Sequence, residues 1–185
     1  MLILFLGFLL LFIILPISAY NGLVRKRNQV ETSFSTIDVM LKKRHDLIPN
    51  LVAAVKQYMQ HERELLTEIT ALREQAMSAN KRKDQLAAEG QLDKALGKLS
   101  VSLENYPDLK ADKNMMHLQA SLNEVEEQIS ASRRSYNASV NTFNTAIQSF
   151  PTNILASLFG FKAFTLFEAT TSERANVNVA NLFNS

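Results

Sequence analysis

Apolar residues follow two different patterns along this chain. Residues 2–19 are almost all Leu, Ile and Phe, and none of them is charged. After them, apolar and polar residues alternate with the three-to-four spacing of an amphipathic helix. The apolar positions of this second pattern are Leu23, Val24, Val30, Phe34, Ile37, Leu41, Ile48, Leu51, Val55, Met59, Leu65, Ile69 and Leu72. The spacing predicts helix throughout this range.

Two further apolar stripes follow, each after a short polar connection. The first comes after Asp84, a side chain suited to cap a helix, and it consists of Leu92, Leu96, Leu99, Leu103 and Tyr106. Residues 106–109 (Tyr-Pro-Asp-Leu) predict a turn. A longer stripe begins near Asp112 and is stopped by Pro151. It consists of Leu118, Leu122, Val125, Ile129, Tyr136, Val140, Phe143, Ile147 and Phe150.

These stripes predict an all-α fold. No segment alternates like a strand for long enough to indicate a sheet. Three stripes joined by short links favour an antiparallel bundle of three to four long helices. Because the first stripe follows directly on the apolar run, we expect an N-terminal transmembrane helix that continues into this bundle, which occupies residues 20–150.

A proline interrupts the first amphipathic stripe. Pro49 has no amide hydrogen, and its ring clashes with the carbonyl four residues earlier, so the helix kinks or breaks there. The neighbouring segment contains no glycine, which favours the kink. Arg44, Asp46 and Asn50 surround the proline. Buried charges need partners, so the three side chains predict a polar clamp that fixes the kink, with a partner-binding notch as the alternative.

The apolar run at residues 1–19 predicts a membrane span. A helix over Leu2 to Ala19 is about 27 Å long, enough for a thin hydrocarbon core. A cleaved secretory signal and a buried core helix are the alternatives, but no basic residue precedes the run and it has no polar face. Tyr20 lies where an interfacial aromatic residue is expected, and Arg25, Lys26 and Arg27 follow it. The positive-inside rule predicts an outside N-terminus and a cytoplasmic body.

An aromatic segment and a polar tail follow the last long stripe. We expect residues 151–169 to form a short apolar helical segment, and residues 170–185 a flexible tail. The apolar segment at 151–169 contains a possible interaction surface, which consists of Phe159, Phe161, Phe164 and Phe167. Packing within the protein or within an oligomer is favoured over contact with lipid.

The composition narrows the range of functions. The 185 residues are enough for an anchor and one domain. A net charge of +2 is too small to indicate nucleic-acid binding, and the chain has no cysteine for a disulfide or a thiolate metal site. His61-Glu62 begins like a zinc-protease motif, but position 65 is Leu where the second histidine is needed. His45 and His117 stand alone in the sequence.

Charged residues on the last stripe have a structural interpretation. Glu124, Glu126 and Glu127 precede Arg133 and Arg134. An ion-paired helix face or an inter-helix salt bridge is the expected role of such residues. The sequence therefore predicts no catalytic site, no metal and no cofactor, and hence no enzyme.

Several short motifs follow one another along the chain. They are 20–24 (YNGLV), 37–39 (IDV), 42–52 (KKRHDLIPNLV), Tyr58 with 61–63 (HER), 106–111 (YPDLKA), 133–137 (RRSYN), and 150–153 (FPTN) running to 159–161 (FGF). Together these motifs resemble the LemA family. The resemblance covers about Tyr20 to Phe167. It implies a bacterial membrane protein with an N-terminal span, a cytoplasmic helical bundle and no assigned enzyme activity. The family often has a proline before a final Val-x-Phe, and residues 175–179 lack it.

The predicted function is that of a non-enzymatic, single-pass protein of the bacterial inner membrane. We expect a self-associating scaffold or adaptor that presents a cytoplasmic helical bundle, because the first and third stripes are longer than the second can cover. Its expected partners are lipid, further copies of itself and other membrane proteins, without nucleic acid. The alternative is a membrane-shaping or anionic-lipid-organising protein, which the basic cluster and the phenylalanines suggest.

Overall fold

The computed structural model describes residues 1–167, except for the side chains at positions 2, 4, 6, 8, 9 and 11. Over this range the chain is all-α. The helices are α1 (Leu2–Lys56), α2 (Arg63–Ser78), α3 (Arg82–Leu103), α4 (Pro107–Lys110), α5 (Lys113–Gln148) and α6 (Thr152–Leu158). The prediction of an all-α fold is confirmed. The predicted tail at 170–185 lies outside the described residues.

Helix α1 is continuous through Pro49 to Lys56, so the alternative of a break at this proline is wrong. The chain instead reverses at residues 57–62, inside the stripe that the sequence assigned to one helix. Met59 lies in this turn and is completely buried. The apolar spacing does not reveal this turn, because α2 continues the same helical period. The buried residues of α2 are Leu66, Ile69, Leu72 and Ala76.

The long helices form two antiparallel pairs. Helix α5 packs along α1, and α2 packs on α3 as a hairpin that lies against the C-terminal part of α1. Helix α5 begins with a cap, because the carboxylate of Asp112 accepts a hydrogen bond from the amide of Met115 at 3.0 Å.

Two apolar cores result from this arrangement. The α1–α5 core consists of Val30, Phe34, Ile37, Leu41, Val125, Ile129, Tyr136, Val140 and Phe143. The hairpin core consists of Ile48, Leu51, Val55, Met59, Leu66, Ile69, Leu72, Leu92, Ala95, Leu99, Leu103, Leu109 and Met115. On α1 the two cores are separated by residues 42–47, so Arg44 lies at their boundary.

The chain folds back after α6. Gly160 adopts a positive φ of 67°, which costs a glycine little and ends the helix. The amide of Phe161 then donates to the carbonyl of Ala156 at 2.9 Å. Residues 161–167, which we call the C-terminal strap, run back along α5 without regular secondary structure.

The apolar N-terminal part of α1 is helical, as expected. Among residues 1–167, with the six undescribed side chains left aside, no helix is long and apolar enough to cross a lipid bilayer.

Candidate functional site

A buried arginine joins three helices at the boundary between the two cores. Arg44 of α1 is only 1% exposed. Its guanidinium donates to the carboxylates of Glu89 and Asp93 on α3. It also donates to Oε2 of Glu126 on α5 at 3.0 Å. Glu89 and Asp93 are four residues apart, so both carboxylates lie on the same face of α3.

Two more side chains extend this network. His45 is buried, and its Nε2 lies 2.8 Å from Oε1 of Glu89. Arg133 of α5 places Nη2 3.4 Å from Oδ2 of Asp93. The network thus contains three carboxylates, two arginines and one histidine. We refer to these six residues as the ion network.

In the two most buried residues of the ion network, burial and neighbouring charges shift the pKa in opposite directions. Burial acts to lower the pKa of Arg44, but the charges of Asp93, Glu89 and Glu126 outweigh it and raise that pKa. Burial acts to raise the pKa of Glu89, but its hydrogen bond with His45 and the charge of Arg44 outweigh it and lower that pKa. Both groups are therefore held in their charged forms.

Pro49 has a consequence for how α2 is attached. A proline cannot donate to the carbonyl four residues earlier, which here is the carbonyl of His45. Nε of Arg73, on α2, donates to that carbonyl at 2.6 Å. Pro49 therefore frees an acceptor on α1, and α2 supplies the donor that satisfies it.

The clamp predicted at the proline has different partners in the structure. Only Arg44 points inward, whereas Asp46, Pro49 and Asn50 are exposed. Asp46 instead pairs with Lys42 at 2.9 Å on the surface of α1. The reason is helical periodicity: Arg44 lies three residues after the buried Leu41 and four before Ile48, and Asp46 and Asn50 lie on another face.

Sequence reasoning did not find the partners of Arg44. Glu89 and Asp93 were not singled out because a charged residue on a helix is usually solvated. Glu126 and Arg133 were expected in an ion-paired face or an inter-helix salt bridge, and here both belong to the ion network. Glu124 accepts a hydrogen bond from Gln128 at 3.0 Å.

An open groove lies beside the ion network. It has a volume of about 1070 Å³ and lies between α3 and α5. Leu86, Leu96 and Leu122 contribute apolar side chains, and Arg44, Asp93, Glu126 and Arg133 provide charge. The groove combines apolar walls with a polar floor, which is typical of a binding surface.

The phenylalanines after α6 have two different environments. Phe161, Phe164 and Phe167 are half-buried and pack against the α1–α5 core. Phe159 is 56% exposed, and its ring centroid lies 4.7 Å from that of Tyr20. The three strap phenylalanines therefore cover the apolar surface that the sequence left without a partner.

The residues predicted to flank a membrane lie close to this segment. Tyr20 is half-buried and also contacts Phe161 at 5.9 Å between ring centroids. Arg25, Lys26 and Arg27 are all exposed. Tyr20, the basic cluster and α6 are therefore at the same end of the bundle.

The histidine motif has a structural role at the α1–α2 turn. His61 is exposed, and Glu62 accepts a hydrogen bond from the hydroxyl of Tyr106 at 2.7 Å. This hydrogen bond raises the pKa of Tyr106. In the part of the chain that the structure describes, no three His, Cys, Asp or Glu side chains are arranged to hold a metal.

These features define the class of protein: a helical bundle built on one long N-terminal helix, with an ion network between its two cores. A family model described as the LemA family matches residues 33–180. The chain belongs to the LemA family, as its motifs suggested.

Individual relatives agree with this assignment. Protein LemA of Metamycoplasma hominis is 29% identical over 186 residues, which cover 96% of this chain and 85% of that protein. Magnetosome protein MamQ 2 of Paramagnetospirillum magneticum is 25% identical over 198 residues, which cover 93% and 73% of the two chains. Magnetosome protein MamQ of Magnetospirillum gryphiswaldense is 26% identical over 185 residues, covering 86% and 68%.

Proposed function

We propose that this protein is a non-enzymatic, membrane-anchored scaffold or adaptor that presents its helical bundle on the cytoplasmic side. The continuity of α1 carries this proposal. One helix of 55 residues contains both the apolar N-terminal run and the face that packs on α5. An anchor and a bundle built on one helix move as a unit, so the bundle is held in a defined orientation to whatever surrounds the apolar run.

Exposure of the apolar run supports the anchor. Ile3, Phe5, Leu10 and Leu15 are all more than half exposed. Large apolar side chains in such a row need a nonpolar environment, which a bilayer supplies. The basic residues that follow Tyr20 support single-pass insertion with the N-terminus outside. The LemA assignment and the magnetosome relatives are consistent with a bacterial membrane setting.

Self-association is the second part of the proposal. The strap covers much of the α1–α5 core, but Val39, Val101 and Met116 remain exposed on the bundle. The test is the mass of the full chain in mild detergent, measured by light scattering beside a chain in which Leu10 and Ile14 are replaced by alanine. A discrete oligomer is expected for the full chain. A strictly monomeric full chain contradicts self-association, and an oligomer unchanged by the substitutions assigns it to the bundle.

A second candidate, an anionic-lipid-organising protein, is favoured by the exposed face of α6. Ile154 and Leu158 are four residues apart on α6 and both exposed, so they lie on one apolar face. The contact between Phe159 and Tyr20 places this face beside the end of the apolar run. Such a face, next to the basic cluster, suits the surface of an anionic membrane.

Lipid contact can be tested in the reconstituted full chain. The native sequence has no cysteine, so Leu158→Cys gives one labelling site for a fluorophore that brominated lipids quench. Val101→Cys is the control, because its exposed fraction of 72% matches the 74% of Leu158 and it lies on the hairpin. Quenching at Leu158 alone, stronger in anionic vesicles, supports the candidate. Equal and weak quenching at both positions contradicts it.

A further inference from the structure

One long face of the bundle, along the groove between α3 and α5, has no helix packed on it. Among the described helices, α3 packs along α2 and α5 packs along α1, but α3 and α5 do not pack along each other. On α3 the groove lining extends from Leu86 to Leu103, which is about 25 Å of helix. Leu86, Leu96 and Leu122 are only half-buried there. The groove is therefore long enough to receive several turns of another helix.

The surface of α3 that faces the groove has two glycines at its centre. Gly90 and Gly97 are two helical turns apart on one face, and a Cβ atom added to either meets no atom within 4 Å. Asp93 is rotated from Gly97 by about 40° on one side, and Lys94 by about 60° on the other. The Asp93 side faces α5 of the same chain, because Asp93 pairs with Arg133. Lys94 therefore lies on the side away from that helix.

Lys94 and the ion network carry complementary charges. Lys94 is exposed and takes part in no ion pair within residues 1–167. In the ion network, carboxylates outnumber guanidinium groups by three to two. The side chain of Glu126 lines the groove and is 47% exposed. A lysine that enters the groove from another molecule can therefore reach this carboxylate.

Lys94 and Glu126 lie at the same level of the bundle. Arg44 donates to Asp93 on α3 and to Glu126 on α5, so these two carboxylates are level with each other. Lys94 follows Asp93 with a rise of only about 1.5 Å. A rotation about an axis parallel to the helices keeps every residue at its own level. Such a rotation brings Lys94 of one copy level with Glu126 of another.

The anchor proposed above defines the direction of this axis. Copies inserted in one bilayer with the same orientation are related by rotation about the membrane normal. The apolar run and the packed part of α1 belong to one continuous helix. At the start of α3, Arg82 pairs with Glu31. Further along both helices, Asp93 pairs with Arg44, so α3 runs parallel to α1 and to the axis.

We propose that the α3–α5 groove is the surface through which two copies of this chain associate, with α3 of each copy lying in the groove of the other. The two α3 helices are then parallel and meet at Gly90 and Gly97. Because the second copy is turned by 180°, Lys94 of each copy faces α5 of the other and pairs with Glu126. This inference rests on the anchored, self-associating function proposed above and names the surface that self-association uses.

A single cysteine in the full chain tests this interface, because the native sequence has no cysteine. Gly97→Cys places one thiol beside the two-fold axis, where the Cα atoms of the two copies come within the distance of about 7 Å that a disulfide needs. Lys98→Cys is the matched control, since Lys98 is exposed, is rotated by about 100° on α3 and is not among the described residues that line the groove. In mild detergent we expect Gly97→Cys to form a disulfide-linked dimer about tenfold faster than the control.

Charge reversal tests the pairing between Lys94 and Glu126. Lys94→Glu places like charges opposite each other in both halves of the interface, and we expect the Kd of the dimer to rise about tenfold. Lys98→Glu changes the net charge equally, outside the groove, and is expected to leave the Kd unchanged. Sedimentation equilibrium in detergent measures both values, and far-UV circular dichroism verifies that the helices are retained. A Kd for Lys94→Glu no higher than that for Lys98→Glu overturns the proposal.

The outcomes distinguish this interface from self-association by another surface. Faster oxidation of Gly97→Cys than of Lys98→Cys supports the groove as the interface. If the full chain is an oligomer by light scattering but the two cysteine variants oxidise at equal rates, the proposed interface is wrong and self-association stands. A strictly monomeric full chain overturns both.

Discussion

At the scale of single residues, Arg44 connects parts of the molecule that are otherwise separate. It is enclosed by carboxylates from α3 and α5 and lies between the two apolar cores. A buried ion pair contributes little net stability, because desolvation of the charges offsets their attraction. Removing one partner is costly, however, because the remaining charges stay buried and unpaired. The ion network therefore acts mainly to define which face of α3 meets α1.

Replacing Arg44 with methionine is expected to destabilise the bundle by about 3–5 kcal/mol, since three carboxylates then lose their common partner. Lys42→Met removes the exposed pair with Asp46 and is expected to cost less than about 1 kcal/mol. Chemical denaturation in mild detergent, followed by circular dichroism, compares the two variants. Equal losses in both would contradict the central role of Arg44.

Glu89 makes the stability of the bundle depend on pH. Its pKa is lowered in the folded state, so between that value and its ordinary value of about 4.3 the folded chain binds fewer protons than the unfolded chain. Stability is thus fully present above the ordinary value and is lost as pH falls through the lowered one. We expect Glu89→Gln to be less stable at pH 7 and to lose less stability on acidification.

The measurement for Glu89 is the free energy of unfolding at several pH values between neutral and strongly acidic. Glu124→Gln is the control, because Glu124 is exposed and lies outside the ion network. It is expected to keep the pH dependence of the native chain. An unchanged acid dependence in Glu89→Gln would show that other carboxylates are responsible.

At the scale of helices, Pro49 and Arg73 act together to attach α2 to α1. The proline leaves the carbonyl of His45 without an intrahelical donor, and Arg73 donates to it at 2.6 Å. The proline thereby creates an acceptor on α1 that a side chain of another helix uses. The turn at residues 57–62 brings α2 back to the level of this acceptor.

Arg73→Met is expected to cost about 1–3 kcal/mol in the native background, because a buried carbonyl loses its donor. The same substitution is expected to cost less in a Pro49→Ala background, where an alanine amide is available to that carbonyl. A double-mutant cycle on the free energy of unfolding measures this difference. Arg63→Met, on an exposed position of the same helix, is the control and should show no coupling to position 49.

At the scale of the whole molecule, two apolar cores share the long helices α1 and α5. The α1–α5 core is covered by the strap, and the hairpin core is formed by α2 and α3 against the end of α1, with Leu109 of α4 and Met115 of α5. The buried residues of the two cores form separate clusters, with Arg44 of the ion network between them on α1. A substitution that weakens one core is therefore expected to increase local unfolding mainly in the helices or strap that pack on that core.

Ile69→Ala and Ile129→Ala are a matched pair for this expectation, since both isoleucines are completely buried, one in each core. Each substitution is expected to cost about 2–5 kcal/mol. Amide hydrogen exchange should rise in α2 and α3 for Ile69→Ala, and at Phe164 and Phe167 for Ile129→Ala. A uniform rise in both variants would show that the two cores open as one unit.

Helical periodicity is a local property, so the features that depend on it could be predicted from the order of residues alone. The all-α fold, most positions of the apolar stripes, the turn before Pro107 and the end of α5 before Pro151 follow from side-chain spacing and from the missing amide of proline. The motifs also indicated the LemA family. Such a resemblance depends only on short sequence motifs and their order along the chain. The match to the family model confirms the family.

The tertiary structure decided which residues meet across helices. Arg44 was selected as a possible inward residue, but its partners Glu89 and Asp93 are 45 and 49 residues away, and no local pattern specifies such a distance. The turn at 57–62 was missed because two antiparallel helices continue the same apolar period. The path of the strap was missed because the asparagine side chains on α5 that bind its backbone are 20 and 30 residues away in the sequence. Pairing between distant segments is set by how whole helix faces pack together, and a one-dimensional pattern does not contain that information.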